Sequence, residues 1–296
     1  MSKKYLAYIL LICTTLIWSV NFIIGKFAYL FEVPPLTLNF LRWTLVWILL
    51  FPFTYKEIFS NIKLIKKNII YLTILAITSV SAFNSLVYLA LNYTQAIDTI
   101  LMISIIPVFV LFLSSILGVE KFNFFQLIGL IVSFIGVLII FSNADLSKIL
   151  NLNFNKGNGW MLLAVFCWAL YSSLLKKNKL PFSTLGLVEV LASIGLIFLI
   201  PQFIGEQMYG KEIKFNKAFF LILSFVTLFA SIGAYYSWNK AIELIGPNRA
   251  SIFLHLMPVF GVILAIVLLK EKFQIYHFIG AAFIVSGIYL SNRKKQ

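Results

Sequence analysis

Long, nearly unbroken apolar runs alternate with short polar connections along the 296 residues of the chain. A membrane-spanning helix needs roughly 20 mostly apolar residues. Ten runs qualify, at 6–28, 36–55, 69–92, 97–117, 124–142, 158–176, 184–204, 216–240, 250–269 and 274–292. The runs are apolar on nearly every side, so helical amphipathicity adds little. They are continuous rather than alternating, which excludes the strands of about 10 residues that build a transmembrane barrel. The first run follows Lys3 and Lys4, as in a signal peptide, but it continues from Tyr5 to Leu30 with no A-x-A cleavage site. A signal-peptide core is only about 7–15 residues long, so this run is read as a retained first helix.

Composition agrees: 61% of residues are hydrophobic, 11% are charged, and the mean hydropathy is +0.98. Soluble domains are nearer 45–50% apolar and about 25% charged. The net charge of +14 would point to nucleic acid in a soluble protein, but in a membrane protein it is first a topology signal. With the N-terminus placed in the cytoplasm, fifteen of the 24 Lys and Arg residues fall in inside segments and eight in outside ones. Both termini are therefore expected in the cytoplasm. The two cysteines, Cys13 and Cys167, lie in apolar runs and exclude a disulfide framework.

The chain repeats itself. Pro107-Val108-Phe109 recurs as Pro258-Val259-Phe260, and Glu120-Lys121-Phe122 as Glu271-Lys272-Phe273, both at an offset of 151. In the same register Gly129 meets Gly280, Gly136 meets Gly287 and Ala90 meets Ala241; Trp18 meets Trp168 and Lys26 meets Lys176 at 150. The predicted fold is all-α: ten transmembrane helices in two five-helix repeats, residues 1–143 and 158–296, joined by a linker at 144–157. An odd number of spans per copy inverts the second copy in the membrane, and such transporters hold substrate near the midplane between the copies. Gly129 and Gly136, like Gly280 and Gly287, share a helix face. Small residues let helices approach closely, within the chain or in a homodimer.

These residues resemble the EamA-type transporters of the drug/metabolite transporter superfamily. The likeness is carried by Ala250-Ser251 through Leu256, Pro258-Val259-Phe260, Leu268 through Lys272, Gly280 and Gly287, and by the weaker first copy at Pro107-Val108-Phe109, Gly118 through Lys121, Gly129 and Gly136. Trp18-Ser19, Asn21-Phe22 and Arg42 also look like the family. The resemblance implies two inverted five-helix bundles, a central cavity, and export or exchange of small metabolites in a bacterial inner membrane.

Intramembrane ionisable residues are costly and mark candidate sites. Arg42 lies about seven residues into the second helix from Pro35, roughly 10 Å below the outer surface at 1.5 Å per residue. Glu189 lies a similar depth from the inner surface. Two ion pairs are expected, Arg42 with Asp98 and Glu189 with Arg249, because Asp98 and Arg249 are repeat equivalents of opposite charge; snorkelling of Arg42 to head groups is the alternative. His255 precedes Pro258 by three residues, and Ser104 precedes Pro107 by three. Proline frees the carbonyl four residues back. His255 and Ser104 then either face the cavity, with His255 binding a carboxylate or carrying a proton, or pack beside a tolerated kink. Pro107 and Pro258 are candidate hinges or gates. Asn21, Asn84, Tyr88, Trp168, Tyr171 and Tyr235 complete the candidate substrate-binding set, because polar groups at this depth should face the bundle interior.

Other motifs carry no chemistry. Gly205 through Glu212 approaches a phosphate-binding loop, but Glu212 stands where Ser or Thr must hold magnesium. The chain has two histidines and only two aspartates, Asp98 and Asp145, and no cofactor or metal is expected. The sequence thus predicts a secondary transporter of a small organic metabolite (amino acid-like, nucleoside-like or a quaternary amine) working by alternating access. The alternatives are a membrane-embedded enzyme acting on a lipid-linked substrate and a non-transporting scaffold. The expected partners are the lipid bilayer and a small-molecule substrate, with no nucleic acid.

Overall fold

A computed structural model describes residues 2–145, 155–209, 215–269 and 272–293. Most of the predicted linker, the end of the Gly205–Glu212 segment, Lys270, Glu271 and the last three residues lie outside this set. The described residues are helical throughout, with no strand among them. Among the described residues nine helices are long and apolar enough to cross a membrane: α1 (Lys3–Leu30), α2 (Pro35–Ser60), α3 (Ile69–Leu91), α4 (Asp98–Ile116), α5 (Phe124–Ser142), α6 (Lys156–Leu175), α7 (Thr184–Met208), α8 (Lys217–Ile245) and α9 (Pro247–Leu264). The tenth predicted span forms α10 (Ile275–Ser291), apolar but only 17 residues long.

Local chemistry sets the boundaries. Asn123 and Gln126 form a capping box at the start of α5, and the side chains of Asn155, Ser183 and Asn216 accept backbone N–H groups at the starts of α6, α7 and α8. The sequence ended the eighth span at 240 and began the ninth at 250, but the two helices nearly touch. Gly246 takes a φ of +84° and stops α8, and Pro247 starts α9 at once. That backbone suits a glycine, and a proline in the first helical turn loses no hydrogen bond.

Packing follows the duplication. α2 lies along α7 and α5 along α10, each helix against its counterpart in the other copy. α1 packs on the last part of α8, and α6 packs in the same way on the last part of α3. The glycine faces account for the closest approach. A Cβ on Gly129 would stand 2.5 Å from the Gly287 carbonyl oxygen, and one on Gly136 would stand 2.5 Å from that of Gly280. Gly129 thus meets Gly287 and Gly136 meets Gly280, so α5 and α10 cross antiparallel. The glycine faces bury each other within one chain, so they are not a surface for a second copy.

The ends of the α2/α7 pair are stapled by carboxylates. Glu206, near the end of α7, accepts the Leu36 and Thr37 N–H groups at the start of α2, at 3.3 and 2.6 Å. Glu57, near the end of α2, accepts the Ser183 N–H and hydroxyl at the start of α7. Each carboxylate meets the positive end of a helix dipole.

Candidate substrate site

The centre of the bundle holds a cavity between the two copies. Its wall is drawn from α1 (Trp18, Asn21, Phe22), α2 (Arg42), α3 (Phe83, Asn84, Val87, Tyr88), α4 (Ile103, Ile106), α6 (Trp168), α8 (Tyr235) and α9 (Leu254, Met257). The enclosed space is about 20 Å³, room for about one water molecule. A metabolite fits only if the walls part.

Arg42 is the hub of this wall and is 1% exposed. Its Nη1 donates to Asn84 Oδ1 at 2.9 Å and to the Tyr88 hydroxyl at 3.0 Å, and its Nη2 to the Ala230 carbonyl at 3.2 Å. Its Nε donates to Ser231 Oγ. Asn84 Nδ2 donates to the Tyr235 hydroxyl at 2.9 Å, and that hydroxyl donates to the Ser79 carbonyl at 2.7 Å. Trp18 Nε1 donates to the same Ala230 carbonyl at 3.2 Å.

The free carbonyls have a common source. α3 and α8 each contain a stretch of π-helix, Ile77–Ser81 and Val226–Gly233, at equivalent places in the two copies. A π-turn shifts backbone bonding by one residue and recurs at functional sites. Here it turns Ser79 and Ala230 toward the polar network. Neither stretch is legible in the sequence, because small apolar and hydroxyl residues carry no signal for the wider turn.

Residues equivalent by repeat meet across the centre. Trp18 and Trp168 stack edge to face at 5.1 Å, Asn84 bonds Tyr235, and His255 bonds Ser104. His255 is fully buried, with Nε2 2.9 Å from the Ser104 carbonyl and Nδ1 2.6 Å from Ser133 Oγ. A carbonyl only accepts, so Nε2 carries a proton; Nδ1 is partnered by Ser133 Oγ, which also lies 3.0 Å from the Leu130 carbonyl. In this conformation His255 and Ser104 pack beside the two helix breaks. Both ring nitrogens are committed, and both residues stand behind the wall that their neighbours Leu254 and Ile103 form. Tyr171 also lies outside the wall and donates to Asn239 Oδ1 at 2.7 Å. The structure therefore brings Asn21, Asn84, Tyr88, Trp168 and Tyr235 to the cavity, and leaves Ser104, Tyr171 and His255 one layer back.

Both proline sites interrupt their helices. α4 breaks at Ser104 and Ile105 before Pro107, and α9 passes through a 3₁₀ turn, Ile252–His255, before Pro258. The broken segments border the cavity through Ile103, Ile106, Leu254 and Met257.

Among the described residues, neither Arg42 with Asp98 nor Glu189 with Arg249 is brought together as an ion pair. Arg42 is held by neutral acceptors, and Asp98 accepts the Thr94 hydroxyl at 3.0 Å. Asp98 opens α4, where the helix dipole already favours a carboxylate. Glu189 is fully buried, and neither carboxylate oxygen has a hydrogen-bond partner among the described residues. Arg249 instead acts on Glu120, in the turn between α4 and α5. Burial raises the Glu120 carboxyl above its usual range, opposed by the Asn248 N–H at 3.3 Å and by the charges of Lys176 and Arg249. Depth along a helix gave the levels of these charges but not the rotation that decides which neighbour each one meets.

A second cavity of about 430 Å³ opens where α6 and α8 end and α7 begins, lined in part by Lys176, Asn239, Lys240 and Glu243. The buried rings of Tyr171, Tyr235 and Trp238 each contact Trp168 beside the central cavity, and Tyr171 reaches this vestibule through Asn239.

The profile of the EamA-like transporter family matches the chain twice, over residues 5–142 and 155–293. An uncharacterized transporter of Archaeoglobus fulgidus is 29% identical over 97% of this chain and 98% of its own length. The uncharacterized transporter YetK of Bacillus subtilis is 26% identical over 99% of this chain and 89% of its own. A solved crystal structure shares the fold, with a TM-score of 0.75 and 14% identity over 98% of this chain and 97% of that one. The chain belongs to the EamA-like transporter family, and it is an integral membrane protein built from two copies of the family unit.

Proposed function

We propose that this member of the EamA-like transporter family is a secondary transporter that carries a small organic metabolite by alternating access, as an exporter or exchanger. The observation that carries the reading is the closed central cavity, walled by both copies and centred on the buried Arg42–Asn84–Tyr235 network. It is bordered by two helices interrupted at equivalent prolines, Pro107 and Pro258, the places where a wall can part without breaking regular hydrogen bonding. The substrate-binding wall is Asn21, Arg42, Asn84, Tyr88, Trp168 and Tyr235; Ser104, Tyr171 and His255 support it.

We read α10 as the tenth span and the copies, 1–143 and 158–296, as inverted relative to each other. The antiparallel crossing of the equivalent helices α5 and α10 supports this. The bias of basic residues supports cytoplasmic termini, in a bacterial inner membrane by analogy with the Bacillus subtilis relative. The vestibule beside Lys176 and Lys240 then faces the cytoplasm.

Counterflow in proteoliposomes tests the proposal. Vesicles loaded with an unlabelled solute should accumulate its labelled form when the protein is present and not when it is absent. A broad set of carboxylates, amino acids, nucleosides and amines that gives no counterflow sinks the transporter reading, and chemical turnover without movement favours a membrane enzyme.

A further inference from the structure

We infer that the central cavity selects an organic anion, a small carboxylate with an apolar or aromatic body, and that Arg42 receives the carboxylate. The inference rests on the transporter reading and names its substrate class.

Arg42 keeps its charge at any physiological pH. No carboxylate of the described residues lies within ion-pairing distance, and its four hydrogen bonds all go to neutral acceptors. A buried charge compensated only by dipoles is an expensive arrangement, and it is relieved by an anion placed against it. The bonding leaves capacity for one. A guanidinium carries five N–H donors, and one on Nη2 remains. The Tyr88 hydroxyl accepts from Arg42, and its own proton has no acceptor among the described residues. Both groups border the cavity, and both are donors, which suits a carboxylate.

A second polar group points to a ligand independently. Asn21 is 8% exposed, lines the same cavity, and its Oδ1 has no hydrogen-bond partner. That oxygen only accepts, so it asks for a hydrogen-bond donor on the body of the ligand, while the carboxylate goes to Arg42 and Tyr88. The rest of the wall beside it is Trp18, Phe22, Phe83 and Trp168, a surface for an apolar or aromatic body. No Asp or Glu lines the cavity. A quaternary amine would therefore face Arg42 with no countercharge, and a nucleoside would leave that charge uncompensated. One spare arginine donor and one hydroxyl match a monocarboxylate better than a dianionic phosphate.

Three probes of nearly equal shape test the charge: 3-phenylpropionate, 3-phenylpropionamide and 3-phenylpropylamine. Binding to the purified full-length wild-type protein in nanodiscs is measured by calorimetry at neutral pH. The carboxylate is expected to bind roughly tenfold or more tighter than the amide, the advantage of a hydrogen bond to a charged group, and the amine to bind weakest. Arg42→Gln should bring the carboxylate down to the level of the amide, with Arg42→Lys between. Equal or tighter binding of amide or amine, or no binding of the carboxylate, overturns the inference, as does an Arg42→Gln protein that keeps the preference. The wild-type comparison decides the matter even if the variants do not fold, since an arginine that serves only to join α2, α3 and α8 gives no preference. Counterflow of the same probes separates the two readings. A carboxylate preference without flux removes the transporter and keeps the anion site. Flux confined to the amide or amine removes the anion site and keeps the transporter.

Discussion

Two side chains at the centre have roles that single substitutions can separate. The Tyr235 hydroxyl accepts from Asn84 and donates to the Ser79 carbonyl, so it closes the gap that the π-turn in α3 opens. Tyr235→Phe keeps the ring packing and removes one of the two donors to that carbonyl, which retains Asn84 Nδ2 at 2.7 Å. The expected loss is about 1 kcal/mol, the net worth of one hydrogen bond, read as a lower unfolding temperature in detergent. His255 supports the wall from behind, with both ring nitrogens bonded to the first copy. Its replacement by Leu should lower stability by about 1–3 kcal/mol. The pH profile of transport by whatever folded protein remains should match that of the wild type. A profile that loses a step near neutral pH would restore His255 as a proton carrier.

At the scale of helices, the α5/α10 seam is the most demanding contact in the fold. An added methyl group at Gly129 or Gly136 lands on backbone of the facing helix, which cannot move aside as a side chain can. Gly136→Ala should therefore force the helices apart and destabilise the protein by several kcal/mol, roughly the scale of overpacked cores and more. Gly159→Ala and Gly205→Ala, with nothing within 4 Å, should leave the unfolding temperature unchanged. This seam was legible in the sequence, because glycines seven residues apart in both copies share a face whatever the rotation of the helix. So were the repeat, nine of the spans and the helix breaks, which follow from apolar runs and doubled motifs, and the polar members Asn21, Asn84, Tyr88 and Tyr235 of the cavity lining, which follow from depth. The partners of Arg42 and Glu189 were not, since an α-helix offers every level of the bilayer on all sides and depth says nothing of azimuth. The π-turns were hidden for a different reason: Ile77–Ser81 and Val226–Gly233 consist of small, apolar and hydroxyl residues that carry no signal for the wider turn.

The two copies are equivalent in contact but not in shape, and that difference bears on how the whole molecule works. Lys26 near the end of α1 donates to the last carbonyl of α3, that of Leu91, at 3.1 Å, and to the Thr94 carbonyl just past it at 3.0 Å. Its equivalent Lys176 at the end of α6 donates to the last carbonyls of α8, at 3.4 and 2.9 Å. Each lysine places a cation on a helix C-terminus, yet Lys176 borders the 430 Å³ vestibule. On the proposed reading each copy crosses the membrane five times, which puts the ends of α3 and α8 on opposite faces. Cysteine labelling tests this arrangement on a background in which Cys13 and Cys167 are replaced by Ala. Lys240→Cys, in the vestibule, should react with a membrane-impermeant maleimide only from the cytoplasmic side, and Asn92→Cys, just past α3, only from the opposite side. Ser2→Cys should label with Lys240→Cys. Labelling of positions 92 and 240 from the same face would break the inverted repeat, whereas exchange of the two faces would keep the repeat and reverse the orientation that the basic residues imply.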